Sequence, residues 1–151
     1  MSVFHRILVA YDGSQDSRAA LELAVEIARD QGAQLTILTV VPDVPVAVTS
    51  VAAGPYDLKS VYVELQENAR ATVPDDVSVT AILRNGTPAH CITTAAADHD
   101  LVVMGTHGRG RIGEALAGSV SRAVVHSLRG AVLLTRAPET KTTEAPGTNP
   151  D

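Results

Sequence analysis

Five short apolar runs punctuate the chain, and between them polar and apolar residues recur at helical spacing. The first run, Ile7-Leu8-Val9-Ala10, has no alternation, as expected of a strand covered on both faces. Tyr11-Asp12-Gly13-Ser14 then turns the chain, with Ser14 placed to cap a helix. From Gln15 to Gln31 the charges Arg18, Glu22, Glu26 and Arg29 fall on one face. Leu21, Ala24, Val25, Ile27 and Ala28 fall on the other, which is the pattern of an amphipathic helix, and Gly32 is a fitting residue just past its end. Leu35 to Val41 reads as a second strand, ended by Pro42.

Residues 42–55 are rich in Pro, Val and Ala without a period, so they read as a long apolar loop. A lid, an interface segment and a plain connector all fit that composition. From Tyr56 to Thr72 the residues Leu58, Val61, Tyr62, Leu65 and Ala69 recur as an apolar helical stripe. Val77 to Leu83 is a third strand and Asn85-Gly86 a turn. Thr87-Pro88 reads as a cap followed by the first helical position, opening a helix that runs to Asp98. Leu101 to Met104 is a fourth strand, Ser119 to Leu128 a helix ended by Gly130, and Ala131 to Thr135 a fifth strand. These elements place one domain over 1–137. The remainder, 138–151, has no apolar pattern and is expected to be a disordered tail.

Strands alternating with helices imply parallel β-α-β units with right-handed crossovers. The expected fold is therefore α/β, a doubly wound five-stranded parallel sheet with helices on both faces. Ligands of such sheets bind at the carboxyl ends of the strands, where the strand order reverses. At 151 residues and 45% hydrophobic the chain can bury a substantial core, and with only 3% aromatics that core must be aliphatic and alanine-rich. A formal charge of −5 argues against general nucleic-acid binding. The single Cys91 excludes an intrachain disulfide framework. No apolar run reaches membrane-spanning length and the N-terminus lacks a signal-peptide core, so a cytoplasmic protein with no membrane partner is expected.

Candidate chemistry concentrates after the fourth strand. Met104-Gly105-Thr106-His107-Gly108 is followed, after nine intervening residues, by Gly118-Ser119-Val120-Ser121. A strand that empties into glycines and then into a helix start offers close backbone approach and bare N–H groups to an anion. Ser119 and Ser121 add hydroxyl donors, and a β-branched residue at Gly118 is expected to crowd a phosphate there. The spacing is neither the P-loop, whose lysine is missing, nor a dinucleotide fingerprint, since Gly108-Arg109-Gly110 closes at Gly113 inside a loop. Asp12, at the end of the first strand, reads as a ligand-side acid in preference to a capping or turn residue. Arg109 and Arg111 fit phosphate partners and solvated loop charges equally well. His107 fits a packing role better than an acid–base one. His5, His90, His99 and His126 lack metal-ligand spacing, so no metal site is expected. Cys91 reads as an inert packed thiol, and Asp98-His99-Asp100 as an ordinary helix-to-strand turn rather than a catalytic fragment.

These motifs together resemble the nucleotide-binding type of the universal stress protein family, whose pattern is G-x2-G-x9-G-[ST] after the fourth strand. The resemblance runs from Arg6 to Arg136. It includes the first strand ending in Asp12, Gly86-Thr87-Pro88, the Asp100-to-Gly105 run and Gly118-Ser119-Val120-Ser121. It implies a Rossmann-like sheet of order 3-2-1-4-5, similar to the adenine nucleotide alpha hydrolases. It also implies a site for ATP or a related adenine nucleotide, with Mg2+, built from Ala10, Tyr11, Asp12, Val40, Met104, Gly105, Gly108, Arg109, Gly118, Ser119, Val120 and Ser121. Ala10 stands where some ATP-binding relatives carry proline, and the 109–117 loop is richer in glycine than in many relatives. By the same resemblance the chain is expected to be a homodimer paired through 131–136, acting as a nucleotide-responsive stress factor with no catalytic residues. The alternatives are a slow ATPase or phosphotransferase at the same site, and a scaffold dimer that binds no nucleotide.

Overall fold

A computed structural model describes residues 1–43, 57–107 and 118–138. Strand and helix alternate through them: β1 (Arg6–Ala10), α1 (Gln15–Gln31), β2 (Gln34–Val41), α2 (Leu58–Ala71), β3 (Val79–Asn85), α3 (Pro88–Ala96), β4 (Leu101–Gly105), α4 (Ser119–Ser127) and β5 (Ala131–Thr135). The five strands form one parallel sheet in the order β3-β2-β1-β4-β5. Most of the loop read over 42–55, the residues Gly108, Arg109, Gly110, Arg111 and Gly113, and the tail beyond Pro138 lie outside the described residues.

The unbroken apolar runs are explained by two cores, one on each face of the sheet. Successive strand residues point to opposite faces. Ile7, Val9, Leu35, Ile37, Leu101 and Val103 pack with Ala20, Leu21, Ala24, Val25 and Ala28 of α1 and Ala69 of α2. Leu8, Leu38, Val102 and Met104 pack on the opposite face with Ile92 and Ala96 of α3 and Val124 of α4. β1 is central, and Ile7, Leu8 and Val9 are fully buried.

Local chemistry sets the ends of α1. The Ser14 side chain accepts the Ser17 N–H at 3.2 Å, and Gly32 closes the helix in the left-handed conformation at φ 66°. Two elements differ from the pattern. β3 runs Val79–Asn85 rather than 77–83, because it pairs along β2 from Leu35↔Val79 to Val41↔Asn85. On α2, Leu58 and Val61 are exposed, and the buried residues are Gln66 and Ala69. The Gln66 amide donates to the carbonyls of Ile82 at 2.7 Å and Ile37 at 3.4 Å. A buried polar side chain is tolerated where its hydrogen bonds are made.

Asp98-His99-Asp100 sits at the amino end of the sheet, opposite the glycine turn. Asp100 Oδ2 accepts the N–H of His5 at 2.8 Å and of Arg6 at 3.0 Å, and these bonds hold its carboxyl below the usual range. His99 spans from Ala95 O at 2.7 Å to Thr36 Oγ1 at 3.0 Å. The triplet therefore ties α3 and β4 to β1 and β2.

At Gly32 an added Cβ would meet nothing within 4 Å, so substitution there isolates the conformational cost of its positive φ. Gly32→Ala is expected to lower stability by about 1–2 kcal/mol, read as a shift in denaturant midpoint at constant slope.

Candidate functional site

The strand order reverses between β1 and β4, since β2 and β3 continue to one side and β5 to the other. The carboxyl ends of β1 and β4 therefore bound the crevice where sheets of this kind take ligands. Ala10 ends β1 and Gly105 ends β4, both half-buried.

The turn out of β4 is fastened to the start of α4. Gly118 N–H donates to Thr106 O at 2.6 Å, and Ser121 Oγ donates to the same carbonyl at 2.9 Å. The first helical bond of α4 runs from Arg122 N–H to Gly118 O. The amides of Ser119, Val120 and Ser121 thus precede the helical ladder, at the positive end of the helix dipole. Gly118 is the N-cap and supplies no side-chain bond, whereas α1 is capped by Ser14. Ser119 is exposed and Val120 half-buried against the α3–α4 core.

The two glycines are required by space. A Cβ on Gly118 would stand 2.9 Å from Thr106 O, so a side chain there collides with the turn itself before it could crowd a ligand. A Cβ on Gly105 would stand 2.7 Å from Asp16 Cβ and 2.9 Å from the Asp16 carbonyl carbon. Gly105 is what lets the first turn of α1 close onto β4.

That close approach brings in a residue the pattern reading passed over. Asp16 is 6% exposed. Its Oδ2 accepts Thr106 Oγ1–H at 3.0 Å and His107 N–H at 3.2 Å, and its Oδ1 accepts Ala137 N–H at 2.8 Å. The His107 ring is buried beside it, with Nδ1 3.5 Å from Asp16 Oδ2 and 3.1 Å from Thr106 Oγ1. Thr135 Oγ1 donates to the Asp16 carbonyl at 3.1 Å. Burial pushes the Asp16 carboxyl up, but the bonds from Ala137, Thr106 and His107 outweigh it and hold the group below its ordinary value. The sequence did carry a signal: Asp16 falls in line with Ala20, Ala24 and Ala28, on the buried stripe of α1.

The remaining site candidates divide by face. Ala10, Val40 and Val120 are partly buried against the α3–α4 core, and Met104 lies within it. Tyr11 belongs to the opposite core and donates its N–H to Leu38 O at 2.9 Å. Asp12 is half-buried at the end of β1, where its Oδ1 accepts Ser14 N–H at 2.9 Å in an Asx turn. Of the two hydroxyls expected to face a phosphate, Ser121 is 2% exposed and turned inward onto Thr106 and Gly118, which leaves Ser119 outward. Among the described residues no group of three His, Cys, Asp or Glu side chains could hold a metal ion. No helix among them is long and apolar enough to cross a membrane.

For a carboxyl depressed in the folded state, stability is fully present above the unfolded value and is lost as pH falls through the folded value. Asp16→Asn is expected to lower stability by about 2 kcal/mol at pH 7. The difference from the parent should shrink as acid takes the parent below the ordinary carboxyl value of 3.8, in unfolding curves recorded from pH 7 to pH ~2.5.

The model of the Universal stress protein family matches residues 4–136. Universal stress protein YxiE of Bacillus subtilis is 32% identical over 148 residues, covering 89% of this chain and 100% of the relative. The solved universal stress protein UspA from Lactobacillus plantarum is 25% identical with a TM-score of 0.70, over 90% of this chain and 100% of that one. A universal stress protein solved in complex with cAMP is also 25% identical, with a TM-score of 0.63, over 91% of this chain and 100% of its own.

Proposed function

The chain belongs to the universal stress protein family, and from that premise we propose that it binds an adenine nucleotide, ATP above all, between the carboxyl ends of β1 and β4. The observation that carries the reading is the start of α4. Its bare first-turn amides are held at the switch point by Thr106, and Ser119 stands outward beside them. Phosphate oxygens match that array of donors. The amide and hydroxyl of Ser119 would hold the phosphates from one side, where Gly118 has no side chain to crowd them, with Gly108 and Arg109 completing the set by family resemblance. Ala10, Val40 and Val120 offer apolar surface to the base on the face they share. Asp12 and the backbone of Tyr11, Met104 and Gly105 frame the sugar. The relative with cAMP supports the adenine class.

Mg2+ enters this reading with the triphosphate rather than through a protein site of its own, and it supplies charge neutralisation. We read the function as occupancy: bound nucleotide orders the surface after β4, and a partner senses the difference. The buried His107 ring, beside Asp16 and Thr106, favours occupancy over turnover. The protein acts in the cytoplasm as a homodimer whose protomers pair along 131–136, because β5 is an edge strand with Leu134 exposed.

Ser119→Glu separates binding from folding. An acid in the first turn of a helix stabilises it by about 0.3–1 kcal/mol, so the melting temperature should hold or rise. Titration calorimetry with MgATP should show affinity reduced at least ~10-fold, through repulsion of the phosphates. A Ser119→Glu protein that binds ATP as well as the parent would remove the phosphates from this helix. Equilibrium sedimentation should give a dimer, and Leu134→Lys, on the exposed edge, should give a folded monomer.

A further inference from the structure

We propose that Asp16 is a positioning residue that links the nucleotide turn to the chain leaving the edge strand β5, a linkage that rests on the nucleotide reading above. Two parts of the molecule distant from α1 in sequence meet on this one residue. Oδ2 holds Thr106 Oγ1 and His107 N–H, the first two residues beyond β4. Oδ1 holds Ala137 N–H, two residues beyond β5. The Asp16 carbonyl holds Thr135 Oγ1, and Thr106 N–H donates to Thr135 O at 2.9 Å.

A carboxylate is planar, so its two oxygens cannot move independently. Any rotation that lets Oδ2 follow Thr106 and His107 swings Oδ1 relative to Ala137. Thr106 is also the residue whose carbonyl receives Gly118 N–H and Ser121 Oγ–H. A phosphate on the first turn of α4 therefore acts on Thr106, Thr106 acts on Asp16, and Asp16 acts on Ala137. Close packing at Gly105 leaves the carboxylate little room to yield by translation, since Gly105 has no space for even a Cβ against Asp16. Binding linkage is reciprocal, so whatever fixes the chain at Ala137, a second protomer included, would raise nucleotide affinity by the same factor.

The test is amide hydrogen exchange on the full chain, with and without saturating MgATP. In the parent, protection is expected to rise at residues 119–121 and also at Ala137, by about fivefold or more. In Asp16→Asn the response at 119–121 should persist, while the response at Ala137 disappears. A second variant needs no nucleotide and preserves shape: Thr106→Val removes one donor from Oδ2 and should speed exchange at Ala137 by about fivefold. Asp16→Asn that speeds exchange at Ala137 equally with and without ATP, keeping the parent's response, would mean a structural tie only and would overturn the linkage. So would unchanged exchange at Ala137 in Thr106→Val. Parent amides at 119–121 that ignore MgATP would overturn the nucleotide reading; amides that respond there while Ala137 does not would overturn the linkage alone.

Discussion

One buried carboxylate holds together the carboxyl end of this sheet. Asp16 stands in the first turn of α1, against the last residue of β4 and below the chain that leaves β5. A charge taken from water with one missing partner is strongly destabilising. Here the partners come from two separate stretches of sequence, Thr106-His107 and Ala137. The start of the turn after β4, at Thr106 and His107, is therefore placed by tertiary contact. Gly105 has a different task, which is to let α1 come close enough for those bonds to form.

The helix starts that follow β1 and β4 divide the available caps. α1 has a side-chain cap of its own, Ser14 Oγ accepting Ser17 N–H at 3.2 Å. α4 begins at a glycine with no side-chain cap and is fastened from beneath, through Thr106 O. A helix fixed in place with its first amides uncapped is preorganised for an anion, because the cost of ordering the turn is met in the folded protein and not at binding. Ser121 serves that fastening. Ser119, two residues earlier, is exposed.

The aliphatic cores suit this arrangement. Interdigitated Val, Leu, Ile and Ala on both faces of β1 and β4 fix the strand ends within a densely packed interior, which yields little to local force. The amino end is closed by Asp100 and His99, so the sheet is pinned at both ends.

Sequence pattern alone determined the alternation of strand and helix, the parallel sheet and the helices on both faces, because burial on two faces erases alternation in strands and imposes a stripe on helices. It also located the glycine turn and the start of α4, since backbone requirements at such positions restrict residue type. The strand order came from family resemblance and agrees with the observed sheet. Tertiary structure decided the rest. Asp16 is one acid among many in the sequence, and only the approach of β4 and the end of β5 makes it the node. Ser121 and Ser119 look alike in the chain, and only the position of Thr106 O turns one inward. Leu58 and Val61 continue the stripe of α2, yet they are exposed, and the helix turns Gln66 to the sheet where two strand carbonyls receive its amide. In each case the deciding partner is distant in sequence, so periodicity, which registers only neighbours on the same element, could not contain it.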